Sequence, residues 1–110
     1  PKLAGKMDGI AIRVPTPDVS VIELVLNTNK KVNVESVNKT MLAAQSDILG
    51  YNDKPLVSID FTHNTHSAIF DATLTKVTDD NVLHVTAWYD NEWGFSNRMC
   101  DTAVAIGKTL

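Results

Sequence analysis

The first part of the chain alternates apolar and polar positions in a way that predicts β-strands. Residues 9–14, with the sequence GIAIRV, place an isoleucine or valine at every second position, and this period of two is typical of a strand. Pro15 and Pro17 then interrupt strand pairing, because proline has no N–H group to donate. Residues 18–27, DVSVIELVLN, predict a second strand. Both of its faces are largely apolar, so we expect both to be covered, one of them by another subunit.

The pattern changes to a helical period over residues 33–45, NVESVNKTMLAAQ. Val34, Val37 and Met41 recur there at the spacing of a single helix face. Asn33 comes directly before them and is a residue type that favours the N-cap position of a helix. We therefore predict an α-helix over residues 33–45 that begins at an Asn33 cap.

The second half of the chain carries further strand signals, which are separated by turn-forming residues. We predict a short extended segment over 47–52, a short strand over 56–64, a longer strand over 66–77, a tight turn over 78–81 and a strand over 82–89. The turn sequence TDDN separates two runs that are rich in β-branched residues. The last two strands are therefore predicted to form an antiparallel hairpin.

The final segment predicts a helix from Trp93 onward. Its apolar residues fall on one helix face, and they are Phe95, Met99, Ala103, Ile106 and Leu110. Gly94 costs about 1 kcal/mol in such a helix relative to alanine, so we expect a structural reason for its small size. The order of elements predicts an α+β fold with a mainly antiparallel sheet, helices packed on one face and a C-terminal helix.

The composition narrows the class of protein. The 110 residues suit one domain over residues 1–110, and the net charge of -3 provides no basic surface for a nucleic acid. No apolar run approaches the roughly 20 residues that span a bilayer, so we predict no membrane partner. The single cysteine, Cys100, cannot form an internal disulfide, which fits a cytoplasmic location. Because the chain begins at Pro1 rather than at a methionine, we expect it to be a piece of a longer polypeptide.

The histidines and the cysteine give weak signals for chemistry. His63 and His66 lie three positions apart, as many metal-binding pairs do, but no clear third ligand accompanies them. A polar loop is the favoured interpretation, and no metal site is predicted. His84 alternates into a strand face and is interpreted as structural. Cys100 lies on the predicted terminal helix, where we expect a small buried apolar residue rather than a nucleophile.

Arg13 is a stronger candidate for ligand binding. It lies between two apolar residues of the first predicted strand, just before the double-proline bend. A guanidinium fixed at the end of a rigid strand suits a phosphate or a carboxylate, which it can bind through two parallel hydrogen bonds. The alternative is a structural ion pair with one of the acidic residues. Local spacing alone favours that alternative.

The richest stretch for a binding site is TAWYDNEWGFSNRMCD, residues 86–101. A strand ends at Tyr89, the following Asp90–Asn91 pair supplies turn chemistry, and a helix starts at once. This arrangement places the amide of Asn91 at the tip of the sheet, beside aromatic residues. An amide there offers one acceptor and two donors, which match a ligand amide. The alternative is that Asn91 only caps the helix, and local physics favours that alternative slightly.

Three stretches of the sequence resemble a known family. GIAIRVPTPDVSVIELV, SIDFTHNTHSAIFDAT and WYDNEWGFSNRM are similar to the C-terminal part of phosphorylating glyceraldehyde-3-phosphate dehydrogenase. The similarity covers essentially the whole chain, and the last motif is long and specific. It implies about the last third of an enzyme that forms a thioester with its aldehyde, passes hydride to NAD and lets inorganic phosphate release an acyl phosphate.

The resemblance also implies roles for individual residues. Arg13, the arginine of the RVPT motif, would contact the phosphate of the phosphorylated aldehyde substrate. Asn91, the asparagine of WYDNE, would form a hydrogen bond with the nicotinamide carboxamide, and Tyr89 would form a wall near the nicotinamide ring. NAD is the implied cofactor, with NADP left open. The apolar second face of residues 18–27 fits a family that forms homotetramers.

Some features of the family are missing from these 110 residues. The SCTTN nucleophile motif, the histidine that activates its cysteine and the dinucleotide fold with its GxGxxG turn are all absent. Cys100 matches no part of the nucleophile motif. The loop before Asp47 is also shorter than is usual in the family. We therefore expect these residues alone to be inactive and to bind NAD weakly.

Two other functions stay open from the sequence. The first is erythrose-4-phosphate dehydrogenase, which is a close relative with the same scaffold. The second is a non-catalytic sheet module that associates with other subunits through its apolar sheet face. The tyrosine of WYDNE, Tyr89, favours the glyceraldehyde enzyme over the first alternative, and the absence of an initiator methionine at Pro1 argues against the second.

Overall fold

The computed structural model describes residues 2–110, which form one sheet of five strands and two α-helices. The elements are β1 (Ser20–Asn27), α1 (Val34–Ala43), β2 (Leu49–Asn52), β3 (Ala68–Asp71), β4 (Lys76–Thr78), β5 (Val82–Tyr89) and α2 (Asn91–Gly107), with short 3₁₀ helices at Ser58–Phe61 and Ala72–Leu74. The strand order is β1-β5-β3-β2, and β4 also pairs with β5. The predicted α+β class is confirmed.

Strand β5 pairs with most of the sheet in the antiparallel direction. It pairs with β1 from Ser20 opposite Tyr89 to Asn27 opposite Val82, and with β3 and β4 as well. The turn between β4 and β5 has positive φ angles at Asp79 (51°) and Asp80 (60°). Positive φ at both central residues is what a type I′ hairpin turn requires. The predicted hairpin and its turn are therefore confirmed.

The prediction of a mainly antiparallel sheet is wrong, because the sheet is mixed. Strands β2 and β3 run parallel, with Leu49 opposite Ala68 and Asn52 opposite Asp71. Residues 53–67 connect them, and a connection of a dozen or more residues is long enough to return the chain in the same direction. This connection contains the 3₁₀ helix Ser58–Phe61, so the strand predicted over 56–64 is also wrong.

Two other predicted strands differ from the structure. Residues 9–14 form no strand, and Ile10 and Ile12 are 91% and 77% exposed. No strand among residues 2–110 pairs with this segment, and a strand needs a partner to satisfy the hydrogen bonds of its backbone N–H and C=O groups. The long strand predicted over 66–77 is divided by a 3₁₀ turn. The division occurs where the Asp71 carboxylate accepts hydrogen bonds from the backbone and hydroxyl of Thr73, at 3.0 and 2.6 Å.

A cluster of buried apolar residues lies at the end of the sheet where β1 begins and β5 ends. Val19, Phe61 and Ile69 form it, and Trp88 packs against them. Phe70 and Leu83 are buried as well. The rings of Phe61 and Trp88 are stacked with centroids 5.5 Å apart. The indole N–H of Trp88 donates to the buried carboxylate of Asp71 at 2.9 Å. This packing joins the start of β1, the end of β5 and the 3₁₀ helix Ser58–Phe61.

Strand β1 is exposed along most of its length within residues 2–110. Val21 and Val25 are 50% and 54% exposed, and Ile22 on the opposite face is 53% exposed. The expected cover on both faces is therefore absent among the described residues. That another subunit supplies a cover stays a prediction.

Each helix begins at a side-chain cap. The Asn33 side chain accepts from the Ser36 backbone N–H at 2.8 Å, which confirms the predicted start of α1. Helix α2 begins at Asn91, slightly before the predicted Trp93. Helix α1 has no buried residue and α2 buries only Gly94, so packing of both helices on one sheet face stays a prediction. Within residues 2–110, neither helix combines the length and apolar character that a membrane crossing requires.

Candidate functional site

Asp90 fixes the junction between strand β5 and helix α2. Its side chain is only 1% exposed. One carboxylate oxygen accepts from the backbone N–H groups of Glu92 and Trp93, at 3.1 and 2.7 Å. The other accepts from the backbone N–H of His63 at 2.7 Å. Asp90 is therefore the N-cap of α2 and also ties that helix to the loop before β3.

The pKa of Asp90 lies below its ordinary value. Burial raises this pKa, but hydrogen bonds, among them those from the backbone amides of Trp93, His63 and Glu92, lower it by more. The positive end of the helix dipole also favours a negative charge at this position. Asp90 is thus held as a carboxylate, and the folded state is stabilised by its ionised form.

The N-cap residue of α2 is Asp90 and not Asn91. The alternative that Asn91 only caps the helix is therefore wrong. Asn91 is exposed at the first position of α2, and its side-chain oxygen accepts a hydrogen bond from the Ser20 hydroxyl at 2.9 Å. Within residues 2–110 the NH₂ group of Asn91 makes no hydrogen bond, so both of its donors are available to a ligand.

Ser20 and Tyr89 complete the immediate surroundings of Asn91. They are directly opposite in the β1–β5 register, and opposed residues of an antiparallel pair carry their side chains on the same face. Tyr89 is half-buried. The structure therefore places the two candidate residues Tyr89 and Asn91 at the same end of the sheet. Ser20 is a third residue at this position. The sequence did not indicate it, because a serine near the start of a predicted strand carries no local signal for a contact with Asn91.

Val19, the residue before β1, has an unusual backbone conformation. Val19 has φ of 66°, a region that costs a β-branched residue about 1–3 kcal/mol. Val19 is 6% exposed and packs in the core with Phe61 and Ile69. Its N–H donates to the Asp18 carboxylate at 2.7 Å. Burial and this hydrogen bond offset the strain and fix the point at which Ser20 begins β1.

Arg13 makes no polar contact with Ser20, Tyr89 or Asn91 within residues 2–110. It is exposed in a segment without helix or strand, so the interpretation that a rigid strand fixes its guanidinium is wrong. An ion pair of Arg13, the alternative from local spacing, is also not formed within residues 2–110. Its free charge remains available to an anionic ligand.

The two loop histidines have different partners. The ring of His63 lies over that of Trp93, with centroids 4.5 Å apart, and His63 has φ of 61°. The Nδ1 atom of His66 is 2.7 Å from the side-chain oxygen of Asn64. Within residues 2–110, no group of three or more His, Cys, Asp or Glu side chains is arranged to hold a metal ion.

Helix α2 approaches the loop before β3 closely. A Cβ atom at Gly94 would lie 2.8 Å from the backbone oxygen of His66, which supplies the structural reason for a small residue. One turn later, the guanidinium of Arg98 contacts the Ser67 hydroxyl at 3.3 Å and the Asp101 carboxylate at 2.8 Å. The Arg98–Asp101 pair lies within α2. The close approach at Gly94 and the contact with Ser67 join the first part of α2 to the segment before β3.

Two other predictions concern residues away from this site. Cys100 is exposed, so the prediction that it is buried is wrong. No other part of residues 2–110 covers the side of α2 that carries Cys100. The His84 ring lies 3.4 Å from the Glu23 carboxylate across the β1–β5 pair, and this cross-strand contact agrees with a structural role.

Comparison with protein families decides the membership of the chain. A family described as "Glyceraldehyde 3-phosphate dehydrogenase, C-terminal domain" matches residues 1–91. The chain belongs to this family. The match includes Arg13 and Tyr89 and ends at Asn91, so all three candidate residues lie within it.

Curated relatives agree with this membership. The glyceraldehyde-3-phosphate dehydrogenase of Xanthobacter flavus is 54% identical over 112 residues, which cover 98% of this chain and 33% of the relative. The chromosomal one of Cupriavidus necator is 54% identical, covering 96% of this chain and 32% of the relative. That of Cereibacter sphaeroides is 48% identical, covering 100% and 34%. The chain therefore spans about a third of the length of these relatives.

Family membership confirms the resemblance found in the sequence motifs. The relatives carry the name glyceraldehyde-3-phosphate dehydrogenase, so the family is enzymatic and the erythrose-4-phosphate alternative is not favoured. The individual roles of Arg13, Tyr89 and Asn91 stay predictions.

Proposed function

We propose that residues 1–110 are the C-terminal portion of the catalytic domain of an NAD-dependent glyceraldehyde-3-phosphate dehydrogenase. The enzyme oxidises glyceraldehyde 3-phosphate and uses inorganic phosphate to release 1,3-bisphosphoglycerate, in cytoplasmic glycolysis. The observation that carries this proposal is the family match over residues 1–91. The nucleophilic cysteine, its activating histidine and the dinucleotide fold belong to the remainder of the enzyme, so these 110 residues alone are inactive.

In this proposal Asn91 binds the carboxamide of the nicotinamide ring. Support comes from the start of α2, where the Asp90 carboxylate caps the helix by accepting from the N–H groups of Glu92 and Trp93, and the side-chain amide of Asn91 is left for a ligand. A carboxamide presents an oxygen acceptor and two N–H donors. The NH₂ group of Asn91 can donate to that oxygen, while its own oxygen keeps a second lone pair beside the bond from Ser20.

Tyr89 forms a wall of the same pocket. Its ring lies at the last position of β5, two residues before Asn91 and opposite Ser20. A half-buried aromatic ring at this position offers an apolar surface to the flat nicotinamide ring and limits its movement. The pocket then has a polar contact at Asn91 and an apolar contact at Tyr89, a combination typical of cofactor sites.

Arg13 binds the phosphate group of the substrate. Its guanidinium is exposed and makes no ion pair within residues 2–110, so its charge is available to a phosphate through two parallel hydrogen bonds. Because residues 9–14 form no strand here, we propose that contacts with the rest of the enzyme order this segment.

The enzyme assembles as a homotetramer in this proposal. Strand β1 exposes apolar side chains on both faces, with Val21, Ile22 and Val25 each half-exposed or more. Such a surface is costly in water and is a common feature of subunit interfaces. The measurement that tests assembly is the molar mass of the full-length protein in solution.

The test of the proposed function uses the full-length protein that contains this chain. Formation of the reduced cofactor is measured with glyceraldehyde 3-phosphate and with erythrose 4-phosphate, each with and without inorganic phosphate. The same assays are repeated with NADP in place of NAD. We expect the highest kcat/KM with glyceraldehyde 3-phosphate and NAD, and a requirement for phosphate. A higher kcat/KM with erythrose 4-phosphate, or no oxidation of either aldehyde, would contradict the proposal.

A further inference from the structure

The hydrogen bond between Ser20 and Asn91 joins two elements that are distant in sequence. The Ser20 hydroxyl donates to the Asn91 side-chain oxygen at 2.9 Å, across 71 positions of the chain. Ser20 is the first residue of β1 and Asn91 is the first residue of α2. The bond therefore connects the start of β1 with the start of α2, beside the candidate nicotinamide pocket.

The backbones on both sides of this bond are fixed independently. On the Asn91 side, the buried Asp90 carboxylate accepts three backbone hydrogen bonds. On the Ser20 side, Val19 is buried in the core and its N–H is bound by Asp18. Since both backbones are held, the main freedom left at Asn91 is rotation of its own side chain.

Rotation of the Asn91 amide is the movement that matters for a bound carboxamide. The terminal torsion of asparagine is broad and roughly two-fold, so an amide without a partner exchanges the positions of its oxygen and its NH₂ group. A hydrogen bond from Ser20 to the oxygen favours one orientation and keeps the NH₂ group free to donate. A ligand then binds an amide that is already oriented, and less freedom is lost on binding.

We propose that Ser20 is a positioning residue for the nicotinamide ring, acting through the side chain of Asn91. This inference depends on the proposed function, because it requires that Asn91 binds the carboxamide. Ser20 is not itself a catalytic residue. Its hydroxyl orients the Asn91 amide and so strengthens binding of the part of NAD that carries the reacting carbon.

The test measures ligand dissociation constants of the full-length enzyme for NAD and for ADP-ribose, which lacks the nicotinamide ring. Ser20→Ala is expected to raise the Kd for NAD roughly three- to ten-fold, the effect of one net hydrogen bond. Its Kd for ADP-ribose stays unchanged, because the adenine and ribose contacts are not altered. Ser20→Thr keeps a hydroxyl and restores most of the NAD affinity.

A matched control removes a hydroxyl from the other end of the same strand pair. The Thr28 hydroxyl donates to the backbone oxygens of Lys30 and Asn81, at 2.7 and 3.1 Å. Thr28→Val is expected to lower the melting temperature without changing the ratio of the two dissociation constants. A Ser20→Ala variant that acted only on stability would behave in the same way, and that result would overturn the inference.

A double-variant cycle separates this inference from the proposed function. If Ser20 acts through Asn91, adding Ser20→Ala to Asn91→Ala produces no further loss of NAD affinity. Independent losses that add fully would overturn the inference, as would an unchanged Kd in Ser20→Ala when Asn91→Ala alone weakens NAD binding. If Asn91→Ala itself leaves NAD binding unchanged, the proposed carboxamide contact is wrong. The proposed role of Ser20, which requires that contact, is then wrong as well.

Discussion

The α-carbon of Gly94 faces the backbone oxygen of His66 so closely that a Cβ atom would lie 2.8 Å from that oxygen. Gly94 is the only buried residue of α2 within the described part of the chain, and His66 lies in the loop before β3. The contact sets the distance between the helix and the sheet end where Asn91 begins α2. A glycine that weakens the helix locally is therefore needed for the position of the candidate site.

Gly94→Ala tests this contact. Helix propensity alone predicts stabilisation by about 1 kcal/mol, whereas a clash with a backbone atom costs about 1–3 kcal/mol. We expect the clash to dominate, because a backbone oxygen cannot rotate away as a side chain can. The melting temperature of the full-length protein should fall.

Gly107→Ala is the control for this substitution. Apart from the adjacent residues and the backbone of α2 itself, no atom among residues 2–110 lies within 4 Å of the position that a Cβ atom would take at Gly107. This variant should therefore be neutral or stabilising. A higher melting temperature for Gly94→Ala would contradict the close approach.

Asp90→Asn tests the buried cap. Asparagine keeps one side-chain oxygen for Glu92 and Trp93, but its NH₂ group would then face the N–H of His63. Two donors in contact leave a buried group unsatisfied, so we expect a loss of about 1–3 kcal/mol in the free energy of unfolding at neutral pH. Denaturant unfolding of the full-length protein measures it.

The pH dependence of this loss follows from the lowered pKa of Asp90. The stabilisation from ionised Asp90 is fully present above the pKa of an unfolded aspartate, about 3.9, and is lost as the pH falls through the lower folded value. The stability difference between the parent protein and Asp90→Asn should therefore shrink below about pH 4. Asp53→Asn, at an exposed position, is the control. A difference that stays constant from neutral to acid pH would show that charge is not the cause.

Arg13→Leu tests the contact with substrate phosphate. A charge-assisted hydrogen bond contributes about 1.5–3 kcal/mol, or about one to two decades in affinity. We expect kcat/KM for glyceraldehyde 3-phosphate to fall by that factor, with little change for unphosphorylated glyceraldehyde. Arg98→Leu is the control, because its guanidinium contacts Ser67 and Asp101, and it should lower stability without distinguishing the two aldehydes. Equal losses for both aldehydes in Arg13→Leu would contradict the assignment.

Asn91→Ala tests the carboxamide contact by kinetics. Since Asp90 keeps the helix cap, we expect little change in melting temperature but weaker NAD binding and lower kcat. Asn97→Ala removes another α2 amide, which donates to the Trp93 backbone oxygen at 2.8 Å, and it should leave the KM for NAD unchanged. A large fall in melting temperature with normal catalysis in Asn91→Ala would point back to a structural role.

Local signals in the sequence predicted the parts of the fold that depend on neighbouring residues. The cap at Asn33 and the tight turn through Asp79 and Asp80 are formed by side chains and backbone angles within a few positions, so pattern and residue type were sufficient. The strand over residues 18–27 and the long strand before Tyr89 were found for the same reason, because each carries a continuous run of strand-forming residues.

Features that depend on distant partners were missed. The parallel pairing of β2 with β3 and the lack of a partner for residues 9–14 are decided by where other strands lie. The same holds for the site. The capping role of Asp90 is reinforced by His63, and the orientation of Asn91 by Ser20, through contacts across 27 and 71 positions. No local sequence pattern predicts such contacts. The positive φ of Val19 is also not predictable from the sequence, because β-branched residues rarely adopt it.

The central claim is that the junction of β5 with α2 forms one wall of a nicotinamide pocket. The most direct test is a crystal structure of the full-length enzyme with NAD bound, in which the distance from the Asn91 side-chain amide to the nicotinamide carboxamide is measured. We expect about 2.7–3.2 Å, a direct hydrogen bond, with the Tyr89 ring beside the nicotinamide. A carboxamide bound by other groups, with the Asn91 amide beyond hydrogen-bonding distance, would contradict the claim.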